Sequence, residues 1–367
     1  MKQLKDIAHY VTEKVEVASL SSGNYISTEN MLKNKQGVTF DASLPDAAKV
    51  TKFSVGDVLV SNIRPYFKKI YQADRNGGCS NDVIVFRTND DNVYRQSFLY
   101  YVLSQDYFFD YMNAGSNGTK MPRGNKKLIP LFPVPDFTIA EQDKIVDLLS
   151  DYDKLIANCQ RKIALLEEAA QRTYNEWFVQ MRFPGHEQAI FIDGLPEGWE
   201  RTNINNMLTF HRGYDLTHNE MNDGKFPVVG STSIIGYHNQ YKIKGPGIVT
   251  GRSGSLGQYQ FIWENFWPHN TSLYISDYKG HDIFFIYYLL RTVDFTRLNS
   301  GGAIPSLNRN TLSNVDVVEP PKELQYKYSQ ITKPFVENQR SLQKQIVKLH
   351  EARYLLLPRL ISREITI

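Results

Sequence analysis

The chain has 367 residues, 41% hydrophobic and 22% charged, which is enough to bury two separate cores and too apolar for a disordered chain. Its net charge is only +3, so any nucleic-acid surface must come from local clustering rather than bulk charge. The longest apolar run, 283–290, is too short to span a bilayer, and the first residues lack the apolar stretch of a secretory signal. Two cysteines cannot build a disulfide framework, and the expected compartment is the reducing cytoplasm.

Residues 1–140 mix strand and helix signals. Leu4–Val11 reads as a short strand or helical turn, while Gly56–Ser61 reads as a turn followed by a strand and Asp82–Arg87 as another strand. Tyr94–Asn113 carries Tyr, Phe and Leu at helical spacing and is followed by a glycine-containing polar loop through Asn125. The prolines of Leu128–Pro135 exclude a central strand, leaving an extended lead into the next element.

Residues 141–185 form the first long helix. Thr138 stands three before Glu141, the spacing of a capping box. Ile145, Leu149, Tyr152, Ile156, Cys159, Ile163, Leu166, Ala170, Tyr174 and Trp177 then step by four and three, giving one narrow apolar stripe. No Pro or Gly interrupts Glu141–Arg182, and the predicted helix is about 60 Å long. A stripe of this period needs a partner helix.

Residues 186–322 repeat the first 140. Ile204, Met207 and Phe210 echo Leu4, Ile7 and Tyr10; Gly247–Thr250 echoes Gly56–Leu59. An aromatic helix recurs at Ile283–Leu290, and Gly301–Pro305 matches Gly118–Pro122. The glycine-rich stretch 251–257 lacks the following helix of a phosphate loop and reads as a hairpin turn.

Residues 323–367 supply the partner helix. Tyr328, Ile331, Phe335, Asn338, Leu342, Gln345, Leu349, Ala352 and Leu356 form its expected stripe, in which Asn338 either fixes register or marks a local shift of the stripe to its neighbours. The first helix is rich in Asp and Glu and the second in Lys and Arg, which favours their pairing with each other over self-pairing. Pro334 is expected to kink or break the second helix near Gln330–Lys333. The fold class that follows is α+β: two pseudo-repeated mixed α/β domains separated by two long helices forming an antiparallel coiled coil.

No catalytic constellation, metal-ligand spacing or phosphate loop is present in the sequence. The functional signal is a set of basic and polar loops at equivalent points of the repeat. In the first copy these carry Arg64, Lys68, Lys69, Lys120, Arg123, Asn125 and Lys126; in the second, Arg252, Ser253, Asn308 and Arg309. Arg and Lys suit phosphate and guanine, and Asn suits adenine.

Several short stretches carry a family resemblance: Leu195-Pro196-Glu197-Gly198-Trp199, Gly56-Asp57-Val58-Leu59, Pro133-Val134-Pro135 with Ile139-Ala140-Glu141-Gln142-Asp143-Lys144-Ile145, Trp177-Phe178, and the C-terminal Leu355–Ser362. In this order they resemble the specificity subunit of type I restriction-modification systems. The first copy departs from the pattern in lacking an L-P-x-G-W opener. The resemblance implies two target recognition domains, each reading half of an interrupted site in double-stranded DNA. It implies helices that set the unread spacer and dock the modification subunits, two of them. Those subunits bind S-adenosylmethionine and methylate adenine, and restriction subunits join the full complex. This chain itself would hold no cofactor, no metal and no catalytic residue. A coiled-coil scaffold with two protein-binding heads is the alternative.

Overall fold

The computed structural model describes residues 2–116, 118, 120–252, 258–293, 312 and 314–367. The chain divides into two compact units, Met1–Asn158 with Gln345–Ile367, and Cys159–Lys344.

In the first unit, β1 (Lys2–Gln3) leads through a single helical turn, α1 (Leu4–Ile7), into β2 (Ala8–Tyr10). Strands β3 (Lys14–Glu16), β4 (Tyr25–Ile26), β5 (Lys49–Phe53), β6 (Val58–Ser61), β7 (Ile70–Gln72), β8 (Gly77–Cys79) and β9 (Val83–Thr88) follow. They form two four-stranded sheets, ordered β2-β9-β6-β7 and β3-β5-β8-β4. The continuous apolar runs of β6 and β9 have a simple cause, since both faces of their sheet are covered. Val58, Val60, Ile84 and Phe86 point to one core together with helices α2 (Gln96–Leu103) and α3 (Asp106–Ala114). Leu59, Val83 and Val85 alternate to the opposite face and meet Ile26, Phe53 and Cys79 of the second sheet. β10 (Pro133–Val134) pairs with β1, confining Pro133 to an edge.

The helix α4 (Ile139–Tyr174) begins with the expected capping box. Thr138 N–H donates to Glu141 Oε2 at 2.7 Å and Glu141 N–H donates to Thr138 Oγ1 at 3.3 Å. One wide turn, Asn175–Val179, ends it.

The second unit opens with a small hairpin of β11 (Phe191–Ile192) and β12 (Leu195–Pro196). β13 (Glu200–Asn203), α5 (Ile204–Met207) and β14 (Thr209–Arg212) then retrace β1, α1 and β2. β15 (Phe226–Val229), β16 (Ile234–His238), β17 (Gly247–Gly251), β18 (Tyr259–Ile262), β19 (Trp267–Pro268) and β20 (Ser272–Asp277) form sheets ordered β14-β20-β17-β18 and β16-β15-β19. The sheet β14-β20-β17-β18 repeats the pairing of β2-β9-β6-β7, and the smaller sheets share one parallel pair. β15 and β19 are parallel, as β4 and β8 are. Ile248, Leu273 and Ile275 enter the core shared with α6 (Ile283–Leu290), and Val249 and Tyr274 alternate to the other face. β21 (Asp316–Glu319) pairs with β13 and leads into α7 (Lys322–Ile361).

Each long helix is locked to its own unit by a buried glutamine in its first turns. Gln142 donates to the Phe137 carbonyl at 2.9 Å and accepts from the Arg95 amide, at the start of α2, at 2.8 Å. Gln325 donates to the Pro320 carbonyl at 2.8 Å, and its oxygen meets His281 Nδ1, just before α6, at 3.0 Å. A polar side chain this deeply buried is tolerated because both ends of the amide are satisfied.

Within each unit the two long helices run antiparallel. In the first, Ile145 and Leu149 share a core with Leu357 and Leu360, and Lys144 Nζ donates to the carbonyl of Ile367. In the second, Ala170 and Tyr174 pack with Tyr328 and Val336. The α4 stripe is as expected, each of its members buried or half-buried. The α7 stripe is shifted by one residue over part of its length. Asn338 is exposed, so it does not fix register; Val336 and Gln339 are buried, while Phe335 is half-buried against the same core. Helical turns are out of step with a strict heptad, and the helix follows whichever phase buries more. Pro334 does not break α7. It removes the hydrogen bond to the Gln330 carbonyl, but both residues are exposed, so solvent can satisfy the freed oxygen.

Candidate nucleic-acid interface

In the first unit the candidate loops meet at the end of β6. Asn62 N–H donates to the Asp82 carbonyl at 2.7 Å and the Asn62 carbonyl accepts from Gly124 N–H at 3.0 Å. Arg64 N–H donates to the Pro122 carbonyl at 2.7 Å, and Ile63 and Arg123 form a β-bridge. Three loops are thus stitched together by backbone bonds: the one after β6, the one between β8 and β9, and the polar stretch 120–125. Gly124 is required for this closeness, because a Cβ there would lie 2.8 Å from Asn62 Oδ1 and 2.9 Å from Met112 Cε.

The stitching brings Arg64 and Arg123 together. Arg123 Nε lies 3.2 Å from Asp82 Oδ1, an exposed ion pair. Arg64 takes a left-handed backbone at φ +50°, and its Nε is buried without a hydrogen-bond partner among the described residues, as is Asn62 Oδ1. Lys69 Nζ donates to the Thr28 carbonyl at 2.5 Å; burial and the nearby Lys33 ammonium lower its pKa. Lys33 stands over the Phe67 ring, 4.3 Å from its centre. Lys120 and Lys126 are exposed, the Lys126 carbonyl accepting from the Tyr10 hydroxyl at 3.1 Å.

Besides Lys69, two more residues singled out by sequence have their polar groups committed inside the fold. Lys68 Nζ pairs with Asp106 at 2.9 Å. The Asn125 side chain accepts from Lys127 N–H at 3.0 Å, and its carbonyl accepts from the amides of Leu128 and Ile129. Asn125 therefore shapes the turn into β10.

Among the described residues, the second unit repeats the bond between the strand-end residue and the loop before the next core strand. Arg252 N–H donates to the Thr271 carbonyl at 3.0 Å, the counterpart of Asn62 and Asp82. His269 N–H donates to the Val229 carbonyl, as Ser80 N–H does to Ile26, both at 2.9 Å. Ser231 Oγ also donates to the Thr271 carbonyl, at 2.8 Å. Ser253, Asn308 and Arg309 lie outside the described residues. Lys242 sits over the rings of Trp267 and Tyr214, at 4.8 and 5.7 Å.

The segments Ser80–Asp82 and His269–Thr271 belong to this arrangement and escape a reading of the sequence, although each holds an asparagine, Asn81 and Asn270, one place after the strand-ending bond. Asn270 donates its amide to Asp215. Such a surface offers guanidinium, ammonium and amide groups on a rigid sheet end. Among the described residues no group of three or more His, Cys, Asp or Glu is placed to hold a metal ion, and no helix is long and apolar enough to cross a membrane.

The family described as type I restriction modification DNA specificity domain matches residues 1–168 and 196–350. The MjaIX specificity subunit of a type I restriction enzyme from Methanocaldococcus jannaschii is 24% identical over 302 residues, 74% of this chain and 69% of that one. The EcoDI specificity subunit from Escherichia coli is 30% identical over 95 residues, 26% of this chain and 20% of its own length. The S subunit of the type I restriction-modification system from M. genitalium shares the fold at a TM-score of 0.56 and 18% identity, over 98% of this chain and 95% of that one. The four-stranded sheet β2-β9-β6-β7 has its counterpart in β14-β20-β17-β18, the family matches both halves, and this chain belongs to the type I restriction-modification specificity subunits, which recognise DNA sequence.

Proposed function

We propose that residues 1–140 and 186–322 are two target recognition domains, each reading one half of an interrupted site in double-stranded DNA. The single observation that carries this is the same bond tying the residue after β6 to the loop before β9, Asn62 to Asp82, and the residue after β17 to the loop before β20, Arg252 to Thr271. A rigid sheet end presenting Arg64, Lys69, Lys120, Arg123 and Lys126 in one unit has its counterpart around Arg252 in the other. Arginine forks and asparagine amides there supply base-edge contacts, while the exposed lysines supply phosphate contacts. Lys68, Asn125, Ser253, Asn308 and Arg309 complete the set proposed to face or support the DNA.

Residues 141–185 and 323–367 act as the spacer that fixes the unread distance and as the dock for two modification subunits. Supporting this, α4 and α7 run unbroken for 36 and 40 residues. They leave large apolar side chains in water, Leu155 and Leu355 at 49% and 66% exposure and Leu165 and Tyr326 at 54% and 59%. In the full complex the chain works in the cytoplasm beside restriction subunits, the adenine methylation and DNA cleavage being carried by its partners.

Two measurements test this. Arg123→Ala, assayed in the complex with the modification subunits, should lower the slope of log affinity against log salt by about 0.9 for each phosphate that the guanidinium no longer neutralises. Equal inserts of one heptad in α4 and α7 should lengthen the unread spacer seen by methylation mapping and leave both half-sites unchanged. Unchanged salt dependence would remove Arg123 from the interface, and DNA binding without sequence preference would favour a protein-binding scaffold instead.

A further inference from the structure

The loop that carries Arg64 is held in an uncommon backbone conformation, and one carboxylate meets it and the segment zipped to it. Asn34, Lys35, Arg64 and Lys68 all have positive φ, +54°, +62°, +50° and +50°. That region is unfavourable for a residue with a Cβ, and a cluster of four persists only where its surroundings over-determine it. Two backbone bonds zip the segments together: Asn34 N–H to the Phe67 carbonyl and Lys35 N–H to the Lys68 carbonyl, both 2.9 Å. The ammonium groups of Lys35 and Lys68 then converge on Asp106, the first residue of α3, at 2.6 and 2.9 Å. The Tyr354 hydroxyl of α7 donates to the same carboxylate at 2.8 Å. Partial burial would raise the Asp106 pKa, but hydrogen bonds from Lys35, Lys68 and Tyr354 outweigh it and bring it down to about 2. The carboxylate is therefore charged at any physiological pH.

We propose that Asp106 is a positioning residue for sequence reading by the first unit: it clamps the zipped loops 33–36 and 64–68 to α3 and α7 and so presents Arg64 to DNA pre-organised. The inference rests on the reading of the Arg64 loop as a DNA contact. Without the clamp, Lys35 and Lys68 repel each other, the four residues relax toward negative φ, and the bond from Arg64 N–H to Pro122 loosens. Asp106 itself is too committed to its three donors to read a base.

The test is methylation mapping in cells expressing the whole chain with its modification subunits, for wild type, Asp106→Asn, Arg64→Ala and the double variant. The wild type should give a two-part motif. Asp106→Asn should relax one half of it, with roughly tenfold weaker discrimination, equivalent to about 1.4 kcal/mol, and leave the other half intact. Arg64→Ala should relax the same half, and the double variant should be no worse than Arg64→Ala alone, as expected of residues acting as one unit. Purified complex carrying Asp106→Asn should bind random DNA as tightly as wild type or more so, because a negative charge has gone. Lys35→Met withdraws one of the three donors and should give a weaker version of the same relaxation if Asp106→Asn does not accumulate. A uniform loss of methylation with no relaxed half assigns Asp106 a purely structural role and overturns the proposal. So does a relaxed half in Arg64→Ala beside an unchanged motif in Asp106→Asn. A wild type that yields no two-part motif defeats the DNA reading itself.

Discussion

The two units anchor the same tyrosine to their helices with charges arranged differently. In the first, Tyr101 of α2 donates to Asp153 of α4 at 2.8 Å, and Arg353 of α7 pairs with that carboxylate. In the second, Tyr288 occupies the same place on α6 and contacts Glu167 of α4 at 3.5 Å. There the counter-charge comes from the residue that follows α6, Arg291, at 2.9 Å, and α7 contributes only the Gln339 amide at 3.0 Å. Duplication has preserved the position of the tyrosine and left the source of the positive charge free to change. The attraction of an acidic helix for a basic one is therefore realised in the first unit, by Asp153–Arg353, and Arg363, just past the end of α7, adds a pair with Glu141 at 3.6 Å. In the second unit aromatic packing takes its place. Tyr328 there is surrounded by Tyr174, Trp177, Phe178 and Tyr288 and donates to the Ala170 carbonyl at 3.0 Å.

That contrast can be broken most sharply at Tyr328. Counting three residues on from each locking glutamine, its counterpart is Ile145. Tyr328→Ala should cost about 4 kcal/mol, by leaving a large cavity and removing the bond to the Ala170 carbonyl, and Ile145→Ala about 3 kcal/mol. Denaturant unfolding of the whole chain gives both values; equal costs would mean that the second unit gains nothing from its aromatic cluster. The two glutamines should behave alike instead. Gln142→Ala and Gln325→Ala each strand a buried donor or acceptor and should each cost about 2 kcal/mol. Their sum should hold in the double variant, because they sit in different cores.

Acid should separate the units by a smaller amount. The folded pKa of Asp106 is depressed, so its contribution is fully present above the unfolded carboxylate value near 4. It is lost as pH falls from about 4 to about 2, a change of roughly 1 to 2 kcal/mol once solvent screening of this part-exposed carboxylate is allowed for. Asp106→Asn should flatten that part of the acid-unfolding curve, and an unaltered curve would show that the Lys35–Asp106–Lys68 cluster stores no such stability.

Features that depend on neighbours along the chain were legible before any fold was known. The Thr138–Glu141 cap, the α4 stripe, the edge placement of Pro133 and the recurrence of the aromatic helix are each a local pattern of period, cap or breaker. The order of matching pieces in the two halves was enough to indicate the family. Other features waited on packing. Whether Asn338 or its neighbour Gln339 enters the seam depends on which phase buries more surface against α4, and periodicity alone leaves the two a single residue apart. Whether a basic loop residue faces outward depends on partners far off in sequence: Asp106 takes Lys68, while the turn into β10 takes the side chain and carbonyl of Asn125. The loop joining β8 to β9 became visible only because its carbonyl receives the Asn62 amide, and its counterpart in the second unit because it receives Arg252, bonds that no local signal encodes. Short-range preferences act through a few covalent bonds, whereas a charge is committed only when the folded chain brings its partner within reach.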